Sequence, residues 1–129
     1  MARITVIEDS REVRTRLIKL LPATGVGELQ WIGSPPFFDR KVEASVRKFK
    51  PDLIVLDLLL DRDIESGFRV LRQLKSSTFL KDIPVVVLSK FISASAEDEN
   101  KRRAEALGAA KAVPKIPFPK LSLLLSLRG

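Results

Sequence analysis

Residues 51–57 read Pro51-Asp52-Leu53-Ile54-Val55-Leu56-Asp57, four large aliphatic side chains in a row between polar ends. A run this short and this uniformly apolar, with β-branched residues at its centre, has the pattern of a strand buried on both faces. Strands of that kind belong to parallel sheets covered by helices on both sides.

Similar runs recur outward from this segment. Ile4 to Ile7 and Val85 to Leu88 read as buried strands, Glu28 to Gly33 as a strand around Trp31 and Ile32, and Ala112-Val113 as a weak fifth strand. Amphipathic stretches lie between them. Ser10 to Leu21 places Val13, Leu17, Leu20 and Leu21 at helical spacing, with Glu12 four residues before Arg16, and Pro22 with the Gly25/Gly27 turn ends it. Pro35-Pro36 opens a second helix with Val42, Val46 and Phe49 inward, and Pro51 closes it. A polar loop leads to Phe68–Leu74, where Phe68, Leu71 and Leu74 share a face. Ser95 to Leu107, ended by Gly108, and Leu121 to Leu127 are the remaining helices. Five strands alternating with five helices predict a doubly wound α/β domain, (βα)5, with right-handed crossovers and a parallel sheet.

Composition narrows the chemistry. The 129 residues suit one domain, expected to span 1–129. No Cys and no His are present, which removes thiolate or imidazole metal sites, thiol nucleophiles, Ser-His-Asp triads and disulfides. The longest apolar run, Leu53 to Leu60, is broken by Asp57 and falls far short of a membrane span, so a cytoplasmic location is expected. Twenty-three basic against sixteen acidic residues give a formal net charge of +7, which favours acidic partners. The basic residues are spread along the chain without a dense tract or a Gly-aromatic RNA-binding motif, and this argues against nucleic acid as the ligand.

In doubly wound folds ligands bind beyond the carboxyl ends of the strands. Strand one ends in Glu8-Asp9, strand three in Asp57, strand four in Ser89 and strand five in Lys115. Strand two, at the edge in a flavodoxin-like order 2-1-3-4-5, ends in Gly33 and Ser34. Three carboxylates from strands one and three would repel one another without a cation among them, and an all-oxygen donor set suits Mg2+ (or Mn2+). A hydroxyl and an ammonium on neighbouring strands are then suited to hold a phosphoryl group, with Asp57 as nucleophile toward phosphorus.

These residues resemble the CheY-like receiver domain of two-component response regulators over the whole chain, from Arg3 to about Leu127. The likeness is carried by Ile7-Glu8-Asp9-Ser10, Pro51 to Asp57, Gly67-Phe68-Arg69-Val70-Leu71, Ile83 to Ser89, and Gly108-Ala109 running on to Lys115. It implies that Asp57 accepts a phosphoryl group from a histidine kinase or a histidine phosphotransfer protein. It implies further that Glu8, Asp9, Asp57 and the backbone carbonyl of Leu59 hold the metal, and that Ser89 and Lys115 contact the phosphoryl oxygens. The chain is then a switch for an unidentified downstream protein, catalysing only its own phosphorylation and slow dephosphorylation. It would be either a stand-alone regulator or a piece of a longer protein, with homodimerisation open. Arg11 and Arg14 on the first helix and Lys120 are expected at the partner-docking surface, alongside Arg16 and Lys19.

Several positions depart from the family pattern. Ala112 stands where an aromatic switch residue is usual, Ile116 follows the lysine in place of a proline, and Pro117 comes one residue late. Lys90 replaces a small residue and either restricts access or offers a second ammonium. Leu59 and Phe91 are apolar where polar side chains often position the hydrolytic water, which predicts a long-lived phospho-Asp57. Ala112, Lys90 and Ile116 support the alternative of a degenerate receiver that binds protein without phosphorylation. Taken singly, Asp9 reads as a helix N-cap with Glu12 closing a capping box. Asp61-x-Asp63-x-Glu65 fails as a calcium loop, since Ser66 stands where Gly is needed and Arg72 where Glu is needed. A hydrolase is disfavoured because Leu59, two residues after Asp57, offers no general acid.

Overall fold

A computed structural model describes residues 2–20, 26–33, 39–60 and 62–115. Nine elements follow in alternation: β1 (Ala2–Ile7), α1 (Arg11–Leu20), β2 (Val26–Ile32), α2 (Arg40–Phe49), β3 (Leu53–Leu56), α3 (Ile64–Ser76), β4 (Val85–Ser89), α4 (Glu99–Ala106) and β5 (Lys111–Pro114). The five strands form one sheet in the order β2-β1-β3-β4-β5, and every neighbouring pair is parallel. The expected sheet and order are therefore present. The leucine-rich segment 121–127, Lys120 and the Ile116-Pro117 bond lie outside the described residues.

Strand alternation sorts the side chains into two cores. Leu53, Val55, Val86, Leu88 and Val113 pack with Ile4, Val6 and Val13 of α1 on one face. Ile54, Leu56, Val85, Val87 and Ala112 pack with Val46, Phe68, Leu71, Leu74 and Ala104 of α2, α3 and α4 on the other. Burial on both faces explains why β3 is apolar throughout and β4 from Val85 to Leu88, since each successive side chain enters a different core. Burying a side chain of the size of Leu or Val contributes roughly 1.5–3 kcal/mol, so these strands anchor the loops at their carboxyl ends.

Helix starts differ from the sequence reading wherever a capping side chain overrides it. Ser10, not Asp9, is the cap of α1, its hydroxyl accepting from the Val13 amide at 3.4 Å. Asp39 caps α2 by accepting from the Val42 amide at 2.9 Å, and Pro35-Pro36, expected to open that helix, lie outside the described residues. Asp63 starts α3 at Ile64, a turn before Phe68, and Asp98 starts α4 at Glu99 rather than Ser95. Gly27 belongs to β2 rather than to a turn.

Gly67 fixes the loop after β3. A Cβ there would sit 2.2 Å from the Cα and carbonyl oxygen of Leu58, and the Gly67 amide donates to that carbonyl at 3.1 Å. Only glycine admits the close approach of α3 to the chain just beyond Asp57.

Candidate functional site

Three of the expected residues occupy the same structural position on different strands. Glu8, Asp57 and Lys115 are each the first residue past a strand, and each continues the ladder by donating its amide to the adjacent strand. Glu8 donates to Ile32 at 3.1 Å, Asp57 to Ile7 at 3.0 Å and Lys115 to Ser89 at 3.1 Å. Their side chains converge at one edge of the sheet with backbones held by the sheet itself.

The Lys115 ammonium bridges two carboxylates, donating to Glu8 Oε2 at 2.8 Å and to Asp57 Oδ2 at 3.3 Å. The remaining oxygens are held by backbone: Ser10 N–H donates to Glu8 Oε1 at 3.0 Å and Leu59 N–H to Asp57 Oδ1 at 3.3 Å. Glu8 and Asp57 are 2% and 4% exposed, whereas Asp9 is exposed. Burial, and then the charge of Asp57, push the Glu8 carboxyl up to about 8, against the opposing pull of Lys115. Burial alone would lower Lys115, but the bond to Glu8 and the charge of Asp57 reverse this and hold it above the usual lysine range.

Carboxylate oxygens of Glu8, Asp9 and Asp57 lie within 4.8 Å of one another. Three acidic groups against one ammonium leave an excess of negative charge in a largely buried pocket. An all-oxygen donor set with that excess fits a hard divalent cation. The cluster opens into a cleft of about 530 Å³ whose walls include Val13 and Arg16 of α1, Leu59, Lys90 and Lys115.

Other expected residues stand apart. Ser89 is fully buried and its hydroxyl accepts from the Phe91 amide at 3.1 Å, so it does not line the cleft in this conformation. Arg11 and Arg14 are exposed on α1, and the Arg14 guanidinium lies 5.7 Å from the centre of the Trp31 ring. Asp63 and Glu65, rejected as calcium ligands, serve the helix instead: Asp63 caps α3 by accepting from the Glu65 amide at 2.9 Å, and Glu65 pairs with Arg103 at 2.6 Å. Ser10 was missed as a site residue, although a serine directly before an amphipathic run is the signal of a cap. Asn100 was also missed: its side-chain amide donates to the Phe91 carbonyl at 3.0 Å and ties α4 to the loop after β4.

Comparison with known proteins agrees with this geometry. The family model of the response regulator receiver domain matches residues 4–127. The chain belongs to that family. This receiver domain is 28% identical over 126 residues to the phosphate regulon transcriptional regulatory protein PhoB of Pseudomonas aeruginosa, covering 98% of the chain and 50% of the relative. The Escherichia coli protein of the same name is 29% identical over 130 residues, with the same coverage. The chain thus spans about half the length of these curated relatives. Among solved structures, the signal receiver domain of a DNA binding response regulator protein from Colwellia psychrerythraea superposes with a TM-score of 0.74 at 25% identity, covering 99% of this chain and 96% of that one. Chemotaxis response regulator CheY4 of Vibrio cholerae shares the fold, with a TM-score of 0.73 at 23% identity, covering 99% and 97%. Among the described residues no helix is long and apolar enough to cross a membrane.

Proposed function

We propose that this receiver domain accepts a phosphoryl group on Asp57 from a phosphohistidine of a histidine kinase or phosphotransfer protein, with a divalent cation, Mg2+ or Mn2+, held by Glu8, Asp9 and Asp57. The single observation that carries the reading is the bridging ammonium of Lys115 between Glu8 and Asp57. It holds the buried Asp57 carboxylate beside a cation in the cleft, with its other oxygen fixed by the Leu59 amide, the placement that a nucleophile toward phosphorus requires.

When bound, the cation offsets charge on the carboxylates and on the phosphoryl oxygens. The chain supplies the rest. Leu59 N–H and Lys115 fix the orientation of Asp57, and Lys115 exchanges its bond to Asp57 for one to the phosphoryl group. The Leu59 carbonyl is the remaining oxygen donor beside the three carboxylates. The Ser89 hydroxyl reaches a phosphoryl oxygen when the loop after β4 moves, giving up its contact with the Phe91 amide. Phe91 hands that movement to α4 through Asn100. Apart from this self-modification the chain is a switch and not an enzyme, and the moved loop and α4 form the surface read by a downstream protein.

The second reading, a degenerate receiver that binds protein without phosphorylation, draws on Ala112. It is buried on the α2–α4 face and has no ring to rotate between inward and outward positions. The two readings separate on incubation with a labelled phosphohistidine phosphotransfer protein. Transfer of label in a hydroxylamine-labile form, lost in Asp57→Asn, supports the first, and no transfer with an intact fold supports the second.

A further inference from the structure

We propose that Lys90 is the residue that captures the incoming phosphodonor at the mouth of the cleft, a task separate from that of Lys115. The inference rests on the phosphoryl-acceptor reading and deepens it by naming a specificity-determining residue of the same site.

Lys115 is committed inside the cluster. Its side chain is 15% exposed and bonded to both Glu8 and Asp57, so its charge is spent on groups already present. A dianionic phosphoryl group approaching Asp57 also meets the exposed Asp9 and Glu12 along the cleft wall. Capture therefore calls for a cation at the rim. Two others line the cleft. Arg16 lies 3.7 Å from Glu12 on its own helix, which offsets part of its charge. Lys90 is exposed, and among the described residues it has no ion pair, only the face of Phe91 with the ammonium 5.6 Å from the ring centre. That ring is itself 44% exposed, so the contact orients the ammonium without burying it.

Position adds to this. Lys90 follows Ser89 directly, and the Ser89 hydroxyl holds the Phe91 amide, so the residue between them is pinned at both sides. A flexible lysine on a pinned backbone at a cleft mouth presents a cation with little cost in backbone entropy. The cleft volume of about 530 Å³ is also of small-ligand size, larger than a phosphoryl group and one ion require, so the leaving group of the donor has room beside Leu59 and Val13.

In the transfer itself a carboxylate oxygen of Asp57 forms the new P–O bond. The bond from phosphorus to the leaving group breaks, and the leaving group departs with the electron pair. Lys90 neither gives nor takes a proton; it holds an anionic oxygen of the donor before and during that exchange. Its effect belongs to donor binding more than to the maximal rate.

The test uses acetyl phosphate as donor with saturating Mg2+ and follows phosphoryl gain by intact mass across donor concentration for the wild type, Lys90→Gln, Lys90→Glu and Lys90→Arg. A charge-assisted bond of about 1.5 kcal/mol corresponds to roughly tenfold in affinity. Lys90→Gln is thus expected to raise the half-saturating donor concentration about tenfold with the maximal rate within about twofold, Lys90→Glu to raise it further, and Lys90→Arg to stay near wild type. The wild-type advantage should shrink as NaCl is added. Lys90→Gln matching or outpacing the wild type would make Lys90 a bystander or a steric lid and overturn the inference. A fall in maximal rate at unchanged half-saturation would overturn it too. A wild type that gains no phosphoryl group from acetyl phosphate but gains one from a phosphohistidine protein overturns this inference alone, and one that gains none from either overturns the acceptor reading with it.

Discussion

Replacing Glu8 by Gln is expected to stabilise the metal-free fold at alkaline pH. The Glu8 carboxyl is pushed from 4.5 up to about 8, chiefly by burial and then by Asp57. The native state therefore retains a proton that the unfolded chain releases near pH 4.5, and stability falls as pH rises between those two values. At about 1.36 kcal/mol per pH unit the shift caps the loss at about 5 kcal/mol. Local relaxation and entry of water bring it to about 2–3 kcal/mol. With no histidine in the chain, few other groups titrate in this window. The assay is urea unfolding in chelator from pH 5.5 to 8.5, followed by circular dichroism. Wild type should lose about 2–3 kcal/mol across the range and Glu8→Gln less than about 1 kcal/mol, since Lys115 then pairs with Asp57 alone. Added Mg2+ should restore the wild type at pH 8.5 by mass action and restore the variant far less. A wild-type stability that is flat or rising with pH, or a variant no more stable at pH 8.5, would refute the reasoning.

Three further outcomes are expected. Gly67→Ala should cost at least about 2 kcal/mol in urea unfolding, because its Cβ meets backbone of Leu58 that cannot rotate away; a loss under about 0.5 kcal/mol would contradict the close approach. Asp98→Ala should cost about 1 kcal/mol as a lost N-cap. The Asp98 carboxyl is held below its usual value by the amides of Lys101 and Ser93. Its contribution is complete above the ordinary aspartate range and fades as pH falls through the lowered value, so the gap between wild type and Asp98→Ala should narrow in acid. Phospho-Asp57 should persist for many minutes in purified protein, since Leu59 and Phe91 offer no polar group to orient a hydrolytic water. A lifetime of seconds would contradict that.

The sheet was legible because both its faces are buried. β3 and β4 read directly from unbroken aliphatic runs, the parallel sheet followed from alternation with helices, and the strand order came from the flavodoxin-like likeness. Helix starts were less legible because one side chain decides them. Asp63 and Asp98 lie in polar stretches where any of several residues fits a cap, and only the packing of Phe68 and Ala104 selects which. The site residues could be named because the fold brings strand ends together, and Glu8, Asp57 and Lys115 follow that rule. The Lys115–Glu8 contact spans 107 positions and follows from topology rather than from any local pattern. The use of the Ser89 hydroxyl by the Phe91 amide was not legible either, since it depends on how the loop after β4 turns. Ala112 read as a missing switch residue, and it is buried against the α2–α4 core.

The most direct test of the account is intact-mass spectrometry after incubation with a small phosphodonor, with and without Mg2+, on the wild type and Asp57→Asn. The account predicts gain of one phosphoryl group by the wild type, requiring both the cation and Asp57. A gain that survives chelation or persists in Asp57→Asn would contradict the central claim, as would no gain from any donor, phosphohistidine protein included.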